Sequence, residues 1–97
     1  MMIRRNEGWL ATYAGSELLM MSVDKGLYIA LTEVGARIWE LLETPHTMES
    51  LCEELCREFD VSPDLCRKEV ETFCSKMIKH GAVSIDPEGG SANRPER

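Results

Sequence analysis

The sequence predicts an α+β domain: a three-stranded antiparallel β-sheet followed by three α-helices, resembling a winged helix-turn-helix. Two observations carry this. The N-terminal third contains apolar runs too short for helices and separated by turn residues, whereas from Thr32 to about residue 80 apolar residues recur at helical three-and-four spacing. The switch falls inside one stretch, GLYIALTEVGARIWELL, residues 26–42.

Strands are expected over 8–13 (GWLATY), 17–23 (ELLMMSV) and 26–31 (GLYIAL). Ala14-Gly15-Ser16 and Asp24-Lys25-Gly26 lie between them, and glycine-containing loops of about three residues join strands as hairpins. Thr32 is placed to cap the first helix through its hydroxyl, with Glu33 at the positive end of the helix dipole and Val34, Ile38, Leu41 and Leu42 on one face. Pro45 ends it.

Thr47 caps the second helix, in which Glu49 occupies the first turn and Leu51, Cys52, Leu55 and Phe59 share a face that ends near Asp60. Ser62-Pro63-Asp64 starts the third, combining a capping hydroxyl, a proline where no N–H is missed, and an early acid. Cys66, Val70, Phe73, Cys74, Met77 and Ile78 form its apolar stripe, Gly81 stops it after Lys79 and His80, and AVSI adds a short extended segment. Residues 1–86 form one domain; the tail 87–97, PEGGSANRPER, is expected to be disordered because it carries no large apolar residue.

Composition narrows the function. Seventeen acidic against eleven basic residues give a net charge of −6, which opposes general attraction to nucleic acid or an anionic membrane. No segment approaches the roughly 20 apolar residues of a membrane span, and MMIRRNEGWLATY lacks a signal peptide's apolar centre. A cytoplasmic location is expected, with free thiols.

Cys52, Cys56, Cys66 and Cys74 fall on helix faces shared with Leu and Phe, where cysteine acts as a small apolar filler rather than a zinc ligand. His46 lies in a Pro-His-Thr loop and His80 at a helix end, where the dipole alone explains it. With no glycine-rich phosphate loop and no nucleophile motif, the chain is read as a non-enzyme without cofactor or metal. A winged-helix DNA-binding regulator is the rival reading, but Arg67, Lys68, Lys76 and Lys79 are interrupted by Asp64, Glu69 and Glu71. The last strand, 26–31, is a sheet edge beside an apolar helix stripe, and such an edge is either shielded or receives a peptide as an added strand.

Three segments, DKGLYIALTEVGARIWELLE, the Pro45–Leu51 start of the second helix, and FDVSPDLCRKEVETFCSKMIKHGAV, resemble the PqqD-like domains, or RiPP recognition elements. The resemblance covers about residues 16–85, and Gly35–Glu40 looks most like the stand-alone proteins of lasso-peptide maturation. It implies that the leader of a ribosomally made precursor pairs with the third strand and lies against the third helix. A leader peptidase and an ATP-dependent cyclase would then be the downstream machinery. The alternative within the family is the peptide chaperone of pyrroloquinoline quinone synthesis, which serves a radical enzyme.

Carried over onto this chain, the docking strand is Lys25, Gly26, Leu27, Tyr28, Ile29, Ala30 and Leu31. Val70, Phe73, Cys74 and Met77 are the groove candidates, and Arg67, Lys68 and Lys76 are placed to pair with leader acids. A monomer or weak homodimer is expected.

Overall fold

Alternation of buried and exposed side chains fixes the sheet that dominates the N-terminal half: Leu18, Met20 and Ser22 point inward on one strand, Ile29 and Leu31 on the next. The structure, a computed structural model, describes residues 1–86. Its elements are β1 (Met2–Arg5), β2 (Trp9–Ala14), β3 (Glu17–Ser22), β4 (Leu27–Leu31), α1 (Glu33–Leu41), α2 (Met48–Glu58), α3 (Pro63–Lys79) and β5 (Val83–Asp86). The three expected strands are β2, β3 and β4, antiparallel in the order β2-β3-β4, and the three helices follow. The expected tail, 87–97, lies outside the described residues.

Both hairpin loops differ by one residue from the expected three. Ala14 pairs with Glu17, leaving Gly15-Ser16 as a two-residue turn in which Gly15 has φ +67°; that positive φ suits the primed turns, whose twist matches the strands. Ser22 pairs with Leu27, so Val23 and Gly26 belong to the loop rather than to the strands. The Gly26 N–H donates to the Ser22 carbonyl at 2.9 Å, and the buried Ser22 Oγ accepts from Lys25 N–H at 3.3 Å.

Two helix starts form as the residues dictate. Thr47 and Ser50 cap each other reciprocally: Thr47 Oγ1 accepts from Ser50 N–H at 3.0 Å and Ser50 Oγ from Thr47 N–H at 3.1 Å. Ser62 Oγ accepts from Leu65 N–H at 3.2 Å, with Pro63 opening α3. Thr32 departs from expectation: it occupies the cap position of α1 with extended backbone, but its hydroxyl makes no capping bond.

The structure adds a strand that local pattern does not announce. β1 pairs antiparallel with β5, Ile3 opposite Ile85, and its other side bonds reciprocally to His46 through Ile3 N–H to His46 O at 2.7 Å and His46 N–H to Ile3 O at 3.0 Å. Arg5 then reaches from β1 to α1, donating Nε–H to the Trp39 carbonyl at 2.9 Å while its guanidinium lies 4.4 Å from the Trp39 ring centroid. An orphan carbonyl at the helix end is thereby satisfied by a residue far away in sequence.

The core gathers Ile3, Met20, Ile38, Leu51, Leu55, Val70, Met77 and Val83 from both sheets and all three helices, all nearly or wholly buried. Cys66 and Cys74 are buried and Cys52 and Cys56 half-buried, and all four are free thiols. A surface chain ties the layers together: Arg37 donates to both carboxylate oxygens of Glu58 on α2, Nε at 2.7 Å and Nη2 at 2.8 Å. It also donates to Glu40 on its own helix, and the Tyr13 hydroxyl of β2 donates to the other Glu40 oxygen.

Candidate functional site: the open edge of β4 and the cleft beside α3

In the order β2-β3-β4, β3 covers one side of β4, so the other side carries outward-pointing N–H and C=O groups that no strand pairs with among the described residues. Thr32 is the single residue between β4 and α1, which turns the chain sharply and sets the start of α1 against the end of the edge strand. β4 and α3 run in opposite directions: Leu31 lies near Phe73, while Lys25, before β4, donates from Nζ to the His80 carbonyl at 3.3 Å.

Between them is a cleft of about 150 Å³. Leu31, Ile38 and Phe73 give it an apolar lining in which Gly35 of α1 contributes only backbone, and Ala30 and Thr32 form its β4 end. Glu69, Thr72 and Lys76 line the α3 side. Neither Glu69 nor Lys76 makes an ion pair among the described residues, although Arg4, Arg37, Arg57 and Arg67 all do.

The residues expected at the site divide by strand and helix periodicity. Leu31, Ala30 and Phe73 line the cleft, whereas Lys25 lies outside it, bonded to His80, and Gly26 sits in the turn with φ +64°. Leu27 is half-buried and Ile29 faces the core, while Tyr28 points to the outer sheet face, 76% exposed, beside Leu10, Leu19 and Met21. Val70 and Met77 are wholly buried and Cys74 nearly so; these three pack the core instead of the cleft. Arg67 faces away: it pairs with Glu71 at 3.4 Å over a separate hollow floored by Ile3, Met48 and Ile85. Lys68 is exposed outside the cleft.

Thr32, Gly35, Ile38, Glu69 and Thr72 were not among the expected cleft residues. A signal existed on α3, because 69, 72 and 76 recur at helical spacing, each one position before the buried 70, 73 and 77. The polar side chains of Glu69 and Thr72 make that row read as a solvated face.

The two buried thiols are not activated. Burial pushes Cys74, next to Phe73, up to about 11, with a further push from the charge of Glu71. Burial likewise pushes Cys66 up to about 12, with Cys56 and Cys52 adding to the effect. Both therefore stay protonated and poorly nucleophilic near neutral pH. Among the described residues no group of three or more His, Cys, Asp or Glu side chains is placed to hold a metal ion, and no helix is long and apolar enough to cross a membrane. What the cleft offers is a row of main-chain donors and acceptors, an apolar lining, and one charge of each sign.

An open sheet edge beside an apolar cleft is the geometry of modules that recognise an extended peptide by strand addition. The chain belongs to the family described as coenzyme PQQ synthesis protein D (PqqD), whose model matches residues 17–83. Two solved structures share the fold. One, described as TbiB1 in complex with the TbiA(beta) leader peptide, has a TM-score of 0.76 at 20% identity, covering 88% of this chain and 99% of that one. The other, lasso peptide synthetase B1 complexed with the leader peptide, has a TM-score of 0.72 at 15% identity, covering 86% and 98% respectively. No curated protein matches the chain in sequence.

Proposed function

We infer that this protein is a non-enzymatic recognition module that binds the leader region of a ribosomally synthesised precursor peptide. The leader adds as a strand to the free edge of β4 and sets alternate side chains into the cleft against α3. From there the precursor is delivered to a leader peptidase or other modifying enzyme in the cytoplasm. The observation that carries this is the juxtaposition of an uncovered β4 edge with the apolar cleft of Leu31, Ile38 and Phe73. That both similar structures are leader-peptide complexes supports it.

The energetics suffice. Two or three buried leader side chains contribute roughly 1.5–3 kcal/mol each, and each added-strand hydrogen bond about 0.5–1.5 kcal/mol. Ordering the leader costs about 2–5 kcal/mol or more. The balance reaches micromolar affinity, about −8 kcal/mol. Holding the precursor on the module raises its effective concentration at the enzyme.

DNA binding has less support. Arg4, Arg37, Arg57 and Arg67 are committed to carboxylates and Arg5 to Trp39, which leaves no arginine row free for phosphates among the described residues.

The test is a fluorescence-polarisation titration of the labelled leader from a precursor encoded beside this gene, with a scrambled leader as control. Saturable, sequence-dependent binding at or below the micromolar range is expected. Equal binding of both peptides, or of neither by folded protein, would overturn the reading.

A further inference from the structure

Gly35 lies in the first turn of α1, where nothing in the backbone asks for glycine. The positive φ values among the described residues belong to Gly8, Gly15, Gly26 and Gly81, and Gly35 is not one of them. Glycine is also the poorest helix former after proline. Packing does not require it either. A Cβ at position 35 would sit 3.5 Å from Leu31 Cβ and Cδ2 and 3.8 Å from Phe73 Cδ2, ordinary contact distances.

An alanine would therefore fit the fold and favour the helix. What it would change is the cleft, because Gly35 lines it between Leu31 of β4 and Phe73 of α3, with Ile38 one turn further along α1. The missing methyl group leaves this apolar wall open. The whole cleft, about 150 Å³ and bordered by Thr32, Glu69, Thr72 and Lys76 as well as these apolar walls, has room for one large side chain.

We propose that Gly35 is the specificity-determining position of the cleft, opening a socket at the Leu31 end of β4 for one bulky apolar side chain of the docked peptide. This rests on the leader-docking reading above. The preferred occupant is a phenyl- or leucyl-sized group. Side chains of an added strand alternate between the two sheet faces, so only one leader position in the bound register reaches the socket.

The experiment pairs the full chain, wild type and Gly35→Ala, with the neighbouring precursor's leader and a panel of its single-alanine variants, read by fluorescence polarisation and thermal melting. In wild type, truncating one large apolar leader residue should weaken binding roughly 10-fold or more, the scale for group deletions in an apolar pocket. Gly35→Ala should bind the parent leader roughly 10-fold more weakly, yet bind that one truncated leader about as well as wild type does. Its melting temperature should rise by roughly 2–8 °C, since alanine is the better helix residue. Gly35→Val, with two more methyl groups, should weaken the parent complex further.

Unchanged parent affinity in Gly35→Ala, or an equal loss against every leader in the panel, would overturn the socket while leaving leader docking intact. Absence of leader binding by wild type would overturn both.

Discussion

Lys25 and His80 tie the loop before β4 to the end of α3: the lysine Nζ donates to the main-chain carbonyl of His80, just past the C-terminus of α3, 3.3 Å away. That carbonyl is among the last of the helix, where the dipole favours a cation. Lys25→Ala should lower stability by about 0.5–1 kcal/mol. Hydrogen exchange should quicken in the Val23–Gly26 loop and leave α2 unaffected. Protection unchanged in that loop would show that the contact does not hold the turn.

Strand addition has a signature with a period of two, because only alternate leader amides face β4. N-methylation scanned along the leader should weaken binding at every second residue through the docked segment, roughly 2–10-fold for each hydrogen bond removed. A flat profile, or one of helical period, would exclude an added strand.

Lys76 and Arg67 sit on the same helix but on different faces, the first lining the cleft and the second beside Glu71 over the β1–β5 side. Lys76→Glu should change leader affinity several-fold and alter its salt dependence, as charges bordering an interface do. Arg67→Glu should leave both unchanged. The reverse pattern would move the docking surface to the other side of α3.

The Arg37 chain makes stability sensitive to acid. Donation by Arg37 holds the Glu58 carboxyl below its ordinary range, and donation by Tyr13, then by Arg37, does the same for Glu40. A carboxylate whose folded pKa is depressed stabilises the fold above its unfolded pKa of about 4.3 and loses that contribution as pH falls through the folded value. These groups are partly exposed, so the combined effect is expected at about 1 kcal/mol or less. Urea denaturation of Arg37→Ala should show that deficit at pH 7 and a shrinking difference from wild type below pH 4. A difference constant with pH would remove the ion pairs from the account.

Most of the fold was legible because its signals are local. The LYIAL run, the Ser62-Pro63 start and the Gly81 stop each act within a few residues and appear as β4 and the two ends of α3. β1 was not legible, since four residues reading MIRR become a strand only through Val83–Asp86 and His46. At the cleft, strand periodicity correctly separates Tyr28 from Leu31 only once the inner face is known. On α3 the buried row of Val70 and Met77 is the stronger apolar signal, and it conceals the neighbouring cleft row of Glu69, Thr72 and Lys76.

The pairing of Met2 with Asp86 joins nearly opposite ends of the described chain, and this has a kinetic side. Long closures are entropically slow to find, whereas the β2–β3 and β3–β4 hairpins and the β4–α1 junction close over short loops. During synthesis β1 emerges before β5 and must wait for it, so the β4 edge can assemble while β1 is still unpaired. Substituting Ile3 with alanine should then accelerate unfolding far more than it slows refolding, a contrast that stopped-flow chevron measurements read directly.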